Sequence, residues 1–203
     1  MVLLDLDNTI INSLSIPDHE IDKVPTEYQD KFISHVMKRY YRIFERPYLQ
    51  QFLDYLFENF KVSIFTAADK DYALYITENI ILTKPERQLS HFFYAYHSEL
   101  SENIFESPKD LRLIWNVLEA EGFNRDNTII IDDLEEVYAA NPNNTIRAPR
   151  FELLKDNKSI DYTSFYDTFL LSTIIELERR LVKSIPLSRL MTDKDPTLKI
   201  RTR

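Results

Sequence analysis

Three short apolar runs, each halted abruptly by polar residues, constrain this chain more than any other feature. "VLL" leads into Asp5 and Asp7, "VSIF" leads into Thr66, and "TIII" leads into Asp132 and Asp133. Apolar runs of this length without polar alternation are the signature of strands covered on both faces, as in a parallel sheet. Helical periodicity lies between them: Leu49, Phe52, Leu53, Leu56 and Phe57 recur before the second run, and "YDTFLLSTIIELERRLV" closes the pattern as an amphipathic helix. Alternating strands and helices predict an α/β domain with a central parallel sheet and helices on both faces. In such sheets ligands bind beyond the carboxyl ends of the strands, so the three polar tips are expected to converge on one crevice.

Asp5, Asp132 and Asp133 gathered there would repel one another unless a cation sat among them. Oxygen donors without cysteine or histidine nearby in sequence suit a hard cation, and Mg²⁺ is the expected one. The chain has no cysteine at all, which removes disulfides, thiolate nucleophiles and cysteine-ligated zinc and suits a reducing compartment. Its single glycine, Gly122, rules out glycine-rich phosphate loops of the P-loop and dinucleotide kinds. No apolar run approaches the roughly 18 residues of a membrane span, and no basic, apolar leader pattern surrounds Met1, so the expected address is intracellular, cytoplasm or nucleus, without membrane attachment.

The remaining elements are predicted from local pattern. Residues 12–25 read as loop. Thr26 and Gln29 form a capping box ahead of Phe32, Ile33, Val36, Met37, Tyr40, Tyr41 and Phe44, which predicts a helix over 27–45 and hence a small helical cap or insertion over 12–45. Pro47 opens the next helix, Asp69 caps the one after Thr66, and a helix is expected from Lys109 to Glu121, ended by Gly122. "HFFYAYHSEL" is a place for a further strand, as is "TIRA". With a net charge of −8 the chain as a whole has no pull on nucleic acid, yet residues 179–203 carry eight Lys/Arg against two acids. The expected division is a domain over 1–178 and a basic tail over 179–203, solvated or docking an acidic partner or RNA.

Four stretches carry a family resemblance: "DLDNTI" (Asp5 to Ile10), "SIFTAAD" (Ser63 to Asp69), "SPKDL" (Ser107 to Leu111) and "IIIDDLEEVYAANPNN" (Ile129 to Asn144). In that order they resemble the four motifs of the haloacid dehalogenase (HAD) superfamily. "RPYLQQFLDYLFENFKVSIFTAADKDYA" and the acidic motif followed by "ANPNN" look most like the phosphatases of the RNA polymerase II carboxy-terminal domain, the NLI-interacting-factor-like branch. The resemblance implies a Rossmann-like HAD fold; the peptide-binding phosphatases usually carry β-structure between the first two motifs, and the helix read there is expected to set this chain apart from them.

The resemblance also implies roles. Asp5 would be the nucleophile that forms an aspartyl-phosphate, and Asp7 the general acid and base. Asp5, Asp133 and the backbone carbonyl of Asp7 would hold Mg²⁺, with Asp132 as ligand or support. Thr66 and Lys109 would bind the phosphoryl group. The expected function is a Mg²⁺-dependent phosphomonoesterase acting on phosphorylated protein, at phosphoserine or phosphothreonine. The alternatives are a nucleic-acid end or small-molecule phosphatase, and, in another class, a non-catalytic binding module on the same fold.

Overall fold

A computed structural model of the chain describes residues 1–155 and 158–184. In chain order the elements are β1 (Val2–Leu4), β2 (Ile11–Ser15), α1 (Thr26–Gln29), β3 (Ser34–Met37), β4 (Tyr41–Glu45), α2 (Leu49–Asn59), β5 (Val62–Phe65), α3 (Lys70–Ile76), β6 (Phe92–Phe93), α4 (Ala95–Phe105), β7 (Ile129–Asp132), α5 (Glu135–Ala140), β8 (Thr145–Arg147), β9 (Leu154–Lys155), β10 (Ser159–Ile160) and α6 (Phe169–Ser184). The central sheet has the order β6-β5-β1-β7-β8 and all its pairings are parallel. The three apolar runs are its three middle strands. Period-two alternation splits their side chains between two cores. Val2, Leu4, Val62, Ile64 and Ile131 face α2, α3 and α6, while Leu3, Phe65 and Ile130 face Leu111, Ile114 and Val137 on the other side.

The predicted helix over 27–45 does not form, and of the loop expected over 12–25 residues 12–15 belong to β2, while 16–25 are turns with one short 3-10 turn at Ile21–Lys23. Over 27–45 only one helical turn survives, at α1; β3 and β4 follow it and join β2 in an antiparallel sheet of order β2-β4-β3, with β4 in the middle. The apolar residues of this stretch are mostly aromatic or β-branched, and these fit a pleated surface as well as a helix face. Strand β2, eleven residues from the chain start, supplies the pairing that decides between them: Ile11 pairs with Glu45 and Ser15 with Tyr41. Leu14, Phe44 and Tyr28 then bury against Phe151, Leu153 and Leu154. The insertion is thus a small β-sheet rather than a helical cap.

The helix expected over 109–121 is also cut short, to a single wide turn at Leu113–Val117. Residues 107–111 form an irregular strap held by side chains of other elements. Asp110 donates its N–H to Ser101 Oγ (2.8 Å) and Leu111 donates to Asn141 Oδ1 (2.9 Å). Elsewhere the expected elements are present: α2, α3 with Asp69 accepting from the Tyr72 N–H, strands β6 and β8, and α6, whose Leu170 and Leu177 are buried against the sheet. Pro47 precedes α2 without entering it. Of the basic tail, Arg179 and Arg180 belong to α6 and pair with Glu176, and residues 185–203 lie outside the described ones. Among the described residues no helix is long and apolar enough to cross a membrane.

One buried cation ties these layers together. Arg46 is 1% exposed; its Nη1 donates to the carbonyl of Thr9 (2.7 Å), and its Nε and Nη2 donate to Asp167 (3.1 and 2.6 Å) at the start of α6. The guanidinium also lies over the Phe169 ring at 4.5 Å. Asp167→Asn keeps the Oδ1 acceptor that caps Phe169 N but removes the charge facing Arg46. Stranding that buried cation is expected to cost about 2–4 kcal/mol, somewhat below the range for a fully buried pair because Asp167 keeps solvent contact. A urea or thermal melt of the variant checks this, and an unchanged midpoint would remove Arg46 from its place as a structural tie.

Candidate active site

The acidic residues are delivered by chain geometry. Asp5 immediately follows β1, and its N–H donates to the carbonyl of Ile131 on β7 (3.1 Å). The chain then turns back on itself at Asn8, which holds a left-handed conformation (φ 59°) that asparagine tolerates better than most residues. Asp132 ends β7 and Asp133 follows it. Carboxylate oxygens of Asp5, Asp132 and Asp133 all lie within 4.8 Å of one another, and all three residues are buried.

Lys109 is 1% exposed and reaches into this cluster, donating to Asp5 Oδ1 (2.5 Å) and Asp132 Oδ2 (2.6 Å). Burial alone would lower the ammonium's pKa, but the facing charges of Asp5 and Asp132 more than offset it and hold the lysine charged, above its ordinary value. Asn141 splints the strap behind it: Nδ2 donates to the carbonyl of Lys109 (2.9 Å) while Oδ1 accepts from Leu111 N. Burial, followed by the charge of Asp5, pushes the Asp132 carboxyl up.

The side chain of Asp7 stands apart from this cluster. Its Oδ1 accepts from Tyr72 Oη (2.5 Å), and that phenol lies 2.5 Å from Ser13 Oγ on β2. Burial pushes the Asp7 carboxyl up to about 7; the Tyr72 hydrogen bond opposes that push and the charge of Asp5 adds to it. Thr66 follows β5 with 1% exposure, and the register Leu4 to Ile64 places it at the same carboxyl end of the sheet as Asp5. Its Oγ1 accepts from Ala68 N (3.1 Å), which leaves the hydroxyl hydrogen available to an anion.

The donor set suits a hard divalent cation, and the oxygens divide unequally. Both oxygens of Asp132 are committed, Oδ2 to Lys109 and Oδ1 to the N–H of Leu134 (2.9 Å). Asp133 Oδ1 accepts from Thr9 Oγ1 (3.3 Å), whereas its Oδ2 is buried with no hydrogen-bond partner. The Arg150 Nε lies 3.2 Å from that oxygen but does not meet it along an N–H direction. Among the described residues the Asp5 side chain accepts only at Oδ1, from Lys109, which leaves Oδ2 to a ligand. Asp5 and Asp133 therefore have open oxygens for an ion, with Asp132 behind them orienting Lys109.

The sequence profile of the NLI interacting factor-like phosphatase family matches residues 1–178. The chain belongs to that family. Among curated proteins it is 35% identical over 181 residues to the CTD phosphatase-like protein 355R of invertebrate iridescent virus 3, covering 79% of this chain and 95% of the viral one. The 355R protein of invertebrate iridescent virus 6 is 37% identical over 164 residues, covering 79% and 90%. Among solved structures, that of Fcp1, described as an essential RNA polymerase II CTD phosphatase, superimposes with a TM-score of 0.54 at 21% identity. The match covers 95% of this chain but spans only 54% of the Fcp1 chain. The fission yeast Fcp1 bound to beryllium fluoride gives a TM-score of 0.52 at 20% identity, covering 93% and 53%. The phosphatase thus shares the HAD fold, with its central parallel sheet and flanking helices.

Sequence reasoning missed Tyr72, Ser13, Asn141 as a splint, and Arg150. None forms a motif by itself, because each meets the site only after the insertion sheet or the strap has folded. A stability signature follows from the raised Asp7. A carboxyl raised in the folded state contributes stability that is fully present below its unfolded pKa and is lost as pH rises through about 7. In metal-free buffer Asp7→Asn, which keeps an acceptor for Tyr72, should gain on the wild type as pH rises from about 4 to 8, by about 1–2 kcal/mol, since Asp7 keeps one edge in solvent. Paired melts across that range measure the gap; a gap that does not widen would mean Asp7 is not held in a proton-retaining environment.

Proposed function

We propose that the phosphatase is a Mg²⁺-dependent phosphomonoesterase that works through an aspartyl-phosphate on Asp5 and acts on phosphoserine or phosphothreonine in a protein. The observation that carries this reading is the separation of the two leading aspartates: Asp5 faces the Lys109 ammonium inside the acidic cluster, and Asp7 is held outside it by Tyr72. A nucleophile and a proton carrier need different environments, and these two carboxylates have them.

In the first step an Asp5 carboxylate oxygen attacks phosphorus, the bond from phosphorus to the leaving oxygen breaks, and Asp7 supplies the proton that the leaving alkoxide takes up. In the second, water gives a proton back to Asp7 as its oxygen attacks phosphorus, and the aspartyl bond breaks to free inorganic phosphate and Asp5. Lys109 supplies a fixed positive charge and Thr66 a hydrogen-bond donor to the phosphoryl oxygens. Asp5 and Asp133, with the backbone carbonyl of Asp7, would hold Mg²⁺, which when bound neutralises charge on the transferring group. An Asp7 carboxyl near 7 is poised to give and take a proton at neutral pH.

A protein substrate is favoured by two supports. Fcp1 is described as a phosphatase of the RNA polymerase II CTD. The insertion between β1 and α2 is a small three-stranded sheet, which suits an open crevice that a chain segment can enter. The expected outcome is hydrolysis of an aryl phosphate and a phosphoserine peptide, abolished by EDTA and restored by Mg²⁺, with Asp5→Asn lowering turnover at least about a thousandfold. Beryllium fluoride should raise the melting temperature only when Mg²⁺ is present. Turnover that survives Asp5→Asn would mean the nucleophile is another group, and faster hydrolysis of a 3′-phosphorylated oligonucleotide than of the peptide would overturn the protein substrate.

A further inference from the structure

The segment after β8 carries a cation that the reaction above does not use. Ala148 donates its N–H to the carbonyl of Asp132 (2.8 Å) and Phe151 donates to the carbonyl of Asn8 (2.7 Å), so residues 148–151 are laced to both acidic loops. Phe151 is 1% exposed, and Leu153 N donates to Asn12 Oδ1 (3.0 Å), which anchors the far end. Between these anchors the side chain of Arg150 remains 58% exposed, with Nε 3.2 Å from Asp133 Oδ2 and Nη2 2.9 Å from Glu152 Oε1.

Two cations thus serve one site at different depths. Lys109 lies at the floor, with Asp5 and Asp132 as its partners. Arg150, whose side chain is 58% exposed, stands at the rim, next to Asp133 Oδ2. Its attachments there leave donors over: Asp133 Oδ2 lies within ion-pair distance but takes no hydrogen bond from it, and the partly exposed Glu152 meets only Nη2. A guanidinium carries five donors in a fork that matches a carboxylate or phosphate, so most of its donor capacity is available to an incoming anion. An approaching phosphorylated segment also has a difficulty to overcome, because the chain is acidic, at −8, and the site itself holds three carboxylates. A rigidly mounted, solvent-accessible positive charge at the mouth offsets that repulsion.

We propose that Arg150 is a specificity-determining residue that receives a second anionic group of the substrate, an acidic side chain flanking the phosphorylated residue. The proposal rests on the phosphopeptide reading of the site. It places the preference in substrate binding, whereas an Arg150 that merely orients Asp133 would act on every substrate alike.

The test compares two phosphoserine peptides that differ only by glutamate or glutamine beside the phosphoserine, using the full chain with Mg²⁺. The wild type is expected to favour the glutamate peptide about tenfold in kcat/KM, mainly through KM, with the preference shrinking as salt rises. Arg150→Lys should keep part of the preference, Arg150→Gln should abolish it, and Arg150→Glu should invert it. An equal loss on both peptides in Arg150→Glu, or a preference that survives it, overturns the proposal. If the wild type hydrolyses neither peptide, the phosphopeptide reading fails separately. An aryl phosphate bearing a carboxylate, set against its carboxamide twin, then reads the same Arg150 preference, whose absence there also overturns the proposal.

Discussion

The ammonium of Lys109, held between Asp5 and Asp132, is the interaction around which the rest of the site is arranged. A buried lysine or a buried carboxylate is each costly by itself, and the cost is offset only where geometry and partners are good. Here one cation joins the ends of two central strands to a strap on the far side of the sheet. That requirement explains the shape of the strap. Lys109 sits in an irregular turn rather than at the head of a regular helix, and the turn is fixed from behind: Ser101 and Asn141 accept from the N–H groups of residues 110 and 111, which a helix start would leave without a partner, and Asn141 Nδ2 takes up the Lys109 carbonyl, which a helix would pair with the N–H of Leu113. Asn141 is in turn set by the end of α5, where its Nδ2 also donates to the carbonyl of Val137 (3.0 Å).

The loop after β1 is gripped from three further directions. Thr9 donates to Asp133, its carbonyl accepts from Arg46, and Asn8 accepts from the backbone of Phe151. Arg46 hands the restraint on to Asp167 and α6, so the last helix of the domain is mechanically part of the loop that carries Asp5 and Asp7. The insertion sheet adds the fourth hold through Ser13 and Tyr72, and Tyr41 packs edge-on against the Tyr72 ring at 5.4 Å. Preorganisation of this kind would serve the proposed phosphoryl transfer, where catalysis is mostly positioning and fixed charge.

Much of this was legible in the sequence and some was not, for identifiable reasons. The apolar runs name the central strands because burial on both faces leaves no room for polar alternation, and their polar ends name Asp5, Asp7, Thr66, Asp132 and Asp133 because a parallel sheet presents those ends together. Lys109 is found by motif order but not its surroundings: its helical reading fails where Asn141 takes the Lys109 carbonyl and Leu113 donates instead to the carbonyl of Asp110 (3.0 Å). The 27–45 stretch fails for a related reason. Its aromatic and branched residues satisfy a helical period and a strand face alike, and what decides is β2, a segment too short and too mixed in polarity to read as a strand before its partner is known. The peptide-binding phosphatases that the motifs resemble usually carry β-structure there, and the expected departure from them does not occur: the paired strands keep the likeness.

Two carboxylates separated by one residue emerge with different surroundings, and the cause is the backbone rather than any difference in the residues themselves. The reversal at Asn8 keeps Asp5 in line with β1, facing Asp132 and Lys109, while it turns the side chain of Asp7 toward α3 and the insertion sheet. A charged ammonium is the partner on one side and a neutral phenol on the other. The phenol donates a hydrogen bond that favours the Asp7 carboxylate, but burial outweighs it and the proton affinity of Asp7 rises. The pull of Asp7 away from the cluster also lowers the number of like charges crowding one cation from four to three, which leaves Asp5 and Asp133 with the open oxygens. The insertion sheet that was hardest to read in the sequence is therefore what sorts the two most readable residues, because Ser13 and Tyr41 hold the tyrosine that keeps Asp7 out of the cluster.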